Sequence, residues 1–180
     1  ALPSNMVTNE QLTKMVDTSD EWIASRTGIR QRHISTGETT TELCVRAARR
    51  ALENAGMQAE ELELIVVATL SGDRALPNTG CEVQRELNAV HATAFEINAA
   101  CSGFLFALNT VQAYMAAGLY RKALVIGGEV LSKLVDWQDR NTCVLFGDGA
   151  GAAVVETDPA RMYYFDQGSD GSRGEALSCP

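Results

Sequence analysis

The residue whose setting best suits it to chemistry is Cys101, in the stretch TAFEINAACSGFLFALNTVQAYMAAGL. The apolar run ATAFEI reads as a strand, the small-residue turn NAAC follows, and SGFLFALNTVQAYMAAG reads as a long apolar helix. This order predicts a thiol at a strand-to-helix junction, beside unpaired backbone N–H groups and the positive end of a helix dipole. A free thiol has a pKa of roughly 8.5, and such a position favours the thiolate, the attacking species. Ala99, Ala100, Ser102 and Gly103 leave room for a flat carbonyl to approach the sulfur. Neighbouring N–H groups could hold the oxyanion that then develops. That chemistry is acyl transfer to sulfur. The competing reading is packing, because free cysteines are among the most buried residue types.

A second group of candidates lies near the amino terminus, where Arg26, Arg30, Arg32 and His33 follow closely on Trp22. Arginines beside an indole can take phosphates and stack a base. The alternative is a solvated basic face with Trp22 turned inward. Only two histidines, His33 and His91, are present, which leaves little material for general-base work. The five cysteines, Cys44, Cys81, Cys101, Cys143 and Cys179, form no CxxC pair and no metal-ligand spacing, so neither a disulfide scaffold nor a metal site is expected. GDGAG at 147–151 matches neither dinucleotide nor P-loop spacing and reads as a tight hairpin between strands at Cys143–Phe146 and Ala150–Val155.

The elements that must position these residues follow α/β grammar. Thr8 with Gln11, and Thr18 with Glu21, carry capping-box signatures for two short helices, the second closed by Gly28. Thr39 with Glu42 opens an amphipathic helix that ends at Gly56, and Leu64 to Thr69 reads as a strand buried on both faces. SGDRALPNTG is a loop directly after that strand, where α/β proteins bind ligands, and GCEVQRELN reads as the next helix. The Cys101 helix has almost no polar face beyond Asn109 and Gln112, which predicts a central, buried helix. Ala123 to Gly127 reads as another buried strand, followed by a polar excursion with Trp137, Asp139 and Arg140.

At 180 residues and 46% hydrophobic content the chain can bury a proper core. A formal charge of −8 argues against a duplex nucleic-acid surface. No apolar run is long enough for a transmembrane helix and the start lacks the pattern of a secretory signal, so no membrane partner is expected and a soluble, cytoplasmic protein is.

Four stretches together carry a resemblance: VDTSDEWIASRTGIRQRHI (16–34), ALPNTGCEVQRELN, INAACSGF and DRNTCVLFGDGAGAAV. The chain resembles the amino-terminal half of the β-ketoacyl-[acyl carrier protein] synthase III family, condensing enzymes of the thiolase superfamily. The resemblance implies a layered α-β-α-β-α fold, with residues 1–180 as an incomplete amino-terminal half that lacks the family's first strand and its carboxyl-terminal half. It implies a condensation of a short acyl-CoA such as acetyl-CoA with malonyl-[acyl carrier protein], through an acyl-cysteine intermediate and loss of carbon dioxide, to start fatty acid synthesis. Coenzyme A enters as a thioester substrate, with no permanently bound cofactor.

By the same resemblance Cys101 matches the nucleophile, Trp22 the aromatic residue against which adenine rests, and Thr18 a neighbour at the coenzyme A entrance. Arg26 and Arg140 match positions at the nucleotide and phosphate end, where the acidic carrier protein is also expected. Leu76 matches a position that reaches across a homodimer to the primer pocket, with the strand near Phe95 close to the two-fold axis. The family's catalytic histidine and asparagine match neither His33 nor His91 and belong to the carboxyl-terminal half. Within enzymes the alternatives are an acyltransferase of secondary metabolism or 3-hydroxy-3-methylglutaryl-CoA synthase. In a different class stands a non-catalytic partner subunit, opposed by the intact Cys101, and a thiol-dependent hydrolase is disfavoured because no histidine lies near Cys101 in a recognisable motif.

Overall fold

The computed structural model describes every residue except Pro159, Met162 and Pro180. In chain order it runs β1 (Met6–Thr8), α1 (Asn9–Leu12), α2 (Asp20–Thr27), β2 (Gln31–His33), α3 (Thr40–Ala55), β3 (Leu64–Ala68), α4 (Thr79–Leu87), β4 (Thr93–Ile97), α5 (Gly103–Ala116), β5 (Lys122–Val130), α6 (Arg140–Cys143) and β6 (Asp148–Glu156). Short 3₁₀ turns fill several connections, one of them at Ala100–Ser102.

The main sheet has the order β4-β3-β5-β6. β3 is parallel to both neighbours, with Val66 opposite Phe95 on one side and Val125 on the other. β6 returns antiparallel to β5. All five residues of β3 are buried, as a strand covered on both faces requires. Its side chains alternate between two cores: Ile65 and Val67 face α3 and α4, with Cys44, Ala48, Leu52 and Val83, while Leu64, Val66 and Ala68 face α5, with Ala107, Val111 and Met115. A third cluster joins Leu12, Ile23, Cys143 and Val144 to Trp22 and Trp137, seating the amino-terminal elements beside the excursion after β5.

Local chemistry fixes the helix ends. Thr39 and Glu42 form a reciprocal capping box on α3, and Gly56 closes it at φ 64. Thr8 and Gln11 do the same for α1. At α2 the cap is Ser19, which accepts from the Trp22 N–H at 3.0 Å, in place of the expected Thr18. Ser19 has the extended backbone of an N-cap (φ −145, ψ 159), which puts its hydroxyl in reach of the third amide.

Two further expectations are corrected. GDGAG makes no hairpin: Cys143 ends α6, and β6 begins at Asp148 inside the glycine-rich stretch and pairs continuously with β5. Glycines in a strand mark a close approach, and an added Cβ on Gly149 would lie 2.9 Å from Leu2 Cδ2. α5 is only partly buried. Its face against β3 and β5 is closed, whereas on the other side Leu105 and Tyr114 are exposed and cover is local. Asn109, read from sequence as part of a polar face, is buried. Its amide donates to Gln167 Oε1 and accepts from the Tyr163 hydroxyl, both at 2.6 Å, so the segment after β6 is tied to α5.

Candidate active site

Cys101 lies in the 3₁₀ turn between β4 and α5, and it is exposed. Ala100 holds a left-handed backbone (φ 45), which turns the chain sharply out of the strand. Of the amides in the turn, Ala100 donates to Asn98 Oδ1 at 3.2 Å, Ser102 to the Ala99 carbonyl at 3.1 Å and Gly103 to the Ala100 carbonyl. Among the described residues the Cys101 N–H has no such acceptor, which leaves a donor free next to the sulfur.

The thiol borders a cavity of about 380 Å³ at the carboxyl ends of β3 and β5. Its walls are Ala68 of β3, Gly127 to Glu129 of β5, Gly149 to Gly151 of β6, Phe104 of α5 and Leu2. The smallness of these residues is what brings the elements together. A Cβ on Gly103 would lie 3.0 Å from Ala68 Cβ, and one on Gly127 would lie 3.3 Å from the Phe104 ring. Glycines at these positions let the first turn of α5 sit directly on the strand ends. A roomier hollow, about 590 Å³, runs between α3 and α4 and shares no lining residue with it. That hollow is walled by Arg46, Arg49, Arg74 and Arg85 with Glu38, Glu42, Glu82 and Glu86, a surface groove of opposite charges with no cysteine in its lining.

The second locus is Trp22. The Arg26 and Arg140 guanidinium carbons lie 4.5 and 4.7 Å from the indole ring centroid. Arg140 is held there by a 2.8 Å bond to the Asp17 carbonyl, and Trp22 packs against the third core cluster. The structure thus brings Trp22, Arg26 and Arg140 together, with Thr18 on the adjoining turn, its hydroxyl oxygen buried and unpartnered among the described residues. It does not bring the whole local arginine group to the indole. Arg30 pairs with Asp20 at 2.6 Å. Arg32 is buried, donates to the Val7 and Val144 carbonyls, and burial pulls its pKa down. His33 Nδ1 lies 2.7 Å from the Pro3 carbonyl, and His91 is exposed. Strand alternation in β2 turns Arg32 into the core while Gln31 points out.

Leu76 stands 85% exposed in the loop before α4. The described residues hold no group of three His, Cys, Asp or Glu side chains arranged for a metal ion, and no helix among them is long and apolar enough to cross a membrane. Sequence reasoning passed over Glu129, whose carboxyl group collects hydrogen bonds from Thr69, Leu70 and Ser71. The only signal for it was the placement of the SGDRALPNTG loop after a buried strand.

Comparison with known proteins agrees with this architecture. The family model for 3-oxoacyl-[acyl-carrier-protein (ACP)] synthase III matches residues 95–171, which include the Cys101 turn. The chain is 51% identical over 180 residues to a β-ketoacyl-[acyl-carrier-protein] synthase III of Clostridium acetobutylicum, covering 99% of this chain and 55% of that protein. It is 51% identical over 178 residues to the one from Streptococcus mutans, covering 98% and 55%. The crystal structure of 3-oxoacyl-(acyl carrier protein) synthase III from Pseudomonas aeruginosa superposes with a TM-score of 0.95 at 41% identity, over all of this chain and 57% of that one. The corresponding protein of Aquifex aeolicus gives 0.86 at 51% identity, over 88% and 51%. The chain spans about half the length of the curated relatives it matches. In sequence and in its thiolase-like α/β fold, the chain belongs to the β-ketoacyl-[acyl-carrier-protein] synthase III family.

Proposed function

We propose that this chain is the amino-terminal, nucleophile-bearing half of a thiolase-like acyltransferase that condenses a short acyl-CoA, acetyl-CoA as the reference primer, with malonyl-[acyl carrier protein]. The observation that carries the reading is Cys101 itself, exposed beside a free backbone N–H at the mouth of a small-residue cavity. The Cys101 sulfur attacks the thioester carbonyl carbon and forms a new C–S bond. The carbonyl oxygen takes the negative charge, facing the Cys101 N–H. The C–S bond to coenzyme A then breaks, and coenzyme A leaves as its thiol. Malonyl-carrier protein next loses carbon dioxide. The electron pair released attacks the acyl-cysteine carbonyl, and the Cys101 thiolate departs from the β-ketoacyl product.

In this reading the Trp22 indole, with Arg26 and Arg140 against it and Thr18 beside it, receives the nucleotide end of coenzyme A. The arginines also offer charge to the acidic carrier protein. The enolate formed on decarboxylation needs donors that neither His33 nor His91 supplies, and these belong to the other half of the core. A cytoplasmic homodimer, with Leu76 reaching toward the neighbouring primer pocket, completes the proposal. Intact-mass spectrometry after incubation of the full-length protein with acetyl-CoA tests it: one added acetyl group, absent in Cys101→Ala, is expected. A folded protein that gains no mass from any short acyl-CoA would overturn it in favour of a non-catalytic partner subunit.

A further inference from the structure

A carboxyl group stands in the cavity wall that the acyl-transfer chemistry does not use. Glu129 is, apart from the Cys101 thiol, the only ionisable residue lining the cavity among the described residues. It is half-buried and takes part in none of the ion pairs among them. Its oxygens are occupied instead by one short segment. The Leu70 N–H donates to Oε1 at 2.9 Å, the Thr69 hydroxyl to Oε2 at 3.2 Å, and the Ser71 hydroxyl to Oε2. Ser71 Oγ in turn accepts from the Val130 N–H at 2.9 Å, which fixes the hydroxyl with its hydrogen toward Glu129.

The position of this cluster gives it meaning. β3 and β5 pair as far as Ala68 opposite Gly127 and then part. Beyond that point β5 continues with β6 as far as Val130, while Thr69 N–H turns to the Ile97 carbonyl on the β4 side at 3.1 Å. The cavity opens where the two strands separate, with Ala68 on one wall and Gly127 to Glu129 on the other. Across this gap the tie between the two walls runs through the Glu129 carboxyl group and Ser71. The segment so held leads on to Leu76.

We propose that Glu129 is a positioning residue that sets the width of the Cys101 cavity by holding residues 69–71 against β5, and so governs the length of acyl chain the cysteine accepts. The proposal rests on the acyl-transfer reading of Cys101. A carboxyl group that receives three donors is a stiff strut. A glutamine offers one acceptor oxygen and a nitrogen that only donates, so at least one of the three bonds is lost while the volume is kept. Loss of the Ser71 hydroxyl removes the relay to Val130 and leaves the Leu70 and Thr69 bonds in place. Neither change touches Ala100, Gly103 or Phe104, the residues that seat the nucleophile.

The test uses the full-length protein and its Glu129→Gln and Ser71→Ala variants, measuring kcat/KM for Cys101 acylation by acetyl-CoA and by hexanoyl-CoA. A hexanoyl-to-acetyl ratio raised at least about fivefold in both variants is expected, a size typical of pocket-wall changes. The ratio is independent of the fraction of protein that is folded, so a merely structural role leaves it unmoved. An unchanged ratio, with the wild type acylated, overturns the positioning role alone. If Glu129→Gln does not fold, Ser71→Ala decides the matter by the same ratio. A wild type that neither thioester acylates sinks the acyl-transfer reading, and this inference with it.

Discussion

Replacement of Gly128 by alanine tests the packing behind the Cys101 cavity. Gly128 borders that cavity from β5, and its other side faces α3. A Cβ built there would fall inside contact distance of Cys44 Sγ and lie 3.1 Å from Ala150 Cβ. Cys44 is fully buried, and burial, followed by the charge of Glu129, pushes its thiol up to about 12, so it is a neutral, rigid neighbour. Overpacking of this kind costs about 2 kcal/mol. In a chain of this size that lowers Tm by about 4–8 °C. Cys44→Ala alone removes one buried sulfur, at about 1 kcal/mol. If the two changes were independent, the double variant would lose the sum. If the new methyl instead occupies the space the sulfur vacates, Gly128→Ala/Cys44→Ala costs no more than Cys44→Ala, a coupling of about 2 kcal/mol. Thermal denaturation of the four proteins in this cycle measures it. Additive losses would refute the argument that Cys44 is what makes residue 128 a glycine.

Other expectations follow from the same contacts. Trp22→Ala, which removes the indole beneath two guanidinium groups, should raise the KM for acetyl-CoA about tenfold with kcat within about twofold, by steady-state kinetics. An equal fall in kcat would move Trp22 from substrate binding to the chemical step. Glu38 is held down from 4.5 to about 2, first by the Thr36 N–H and then by further backbone donors including Ser4. Because its folded pKa lies below its unfolded one, its contribution to stability is complete above the ordinary glutamate range and is lost as pH falls toward about 2. The gap in urea midpoint between wild type and Glu38→Gln should therefore close across that window, and a constant gap would contradict the assignment. Iodoacetamide at pH 8 should label the exposed Cys101 and Cys179 well before the buried Cys44 and Cys143, by peptide mapping. Early labelling of Cys44 would mean that the core beside α3 opens readily.

Much of the scaffold was legible because its signals are local. The Thr39–Glu42 box, Gly56 and the β-branched run at 64–68 each declare an element within a few residues, and the small-residue turn around Cys101 declares a junction. What escaped depends on partners distant in sequence. Arg140 joins Trp22, while Arg30 and Arg32, much nearer in the chain, are drawn off by Asp20 and by buried carbonyls. Ser71 meets Glu129 only because β3 and β5 lie side by side. The glycine-rich 147–151 stretch looked like a turn on composition, yet it pairs with β5, since glycine also serves where other chains press close. Ser19 displaced Thr18 as a cap by a single position, a margin that residue type alone does not resolve.

The left-handed backbone at Ala100 has a consequence for which sequences this site can tolerate. A branched Cβ in that conformation meets the flanking carbonyls, whereas alanine bears a modest penalty, and glycine or asparagine little or none. Residue 100 is thus filtered by its torsion angle, although its side chain has no part in the chemistry. Valine there would have to relax toward an extended angle and swing the thiol away from the cavity mouth, so the placement of the Cys101 sulfur is written in its neighbour as well as in the cysteine.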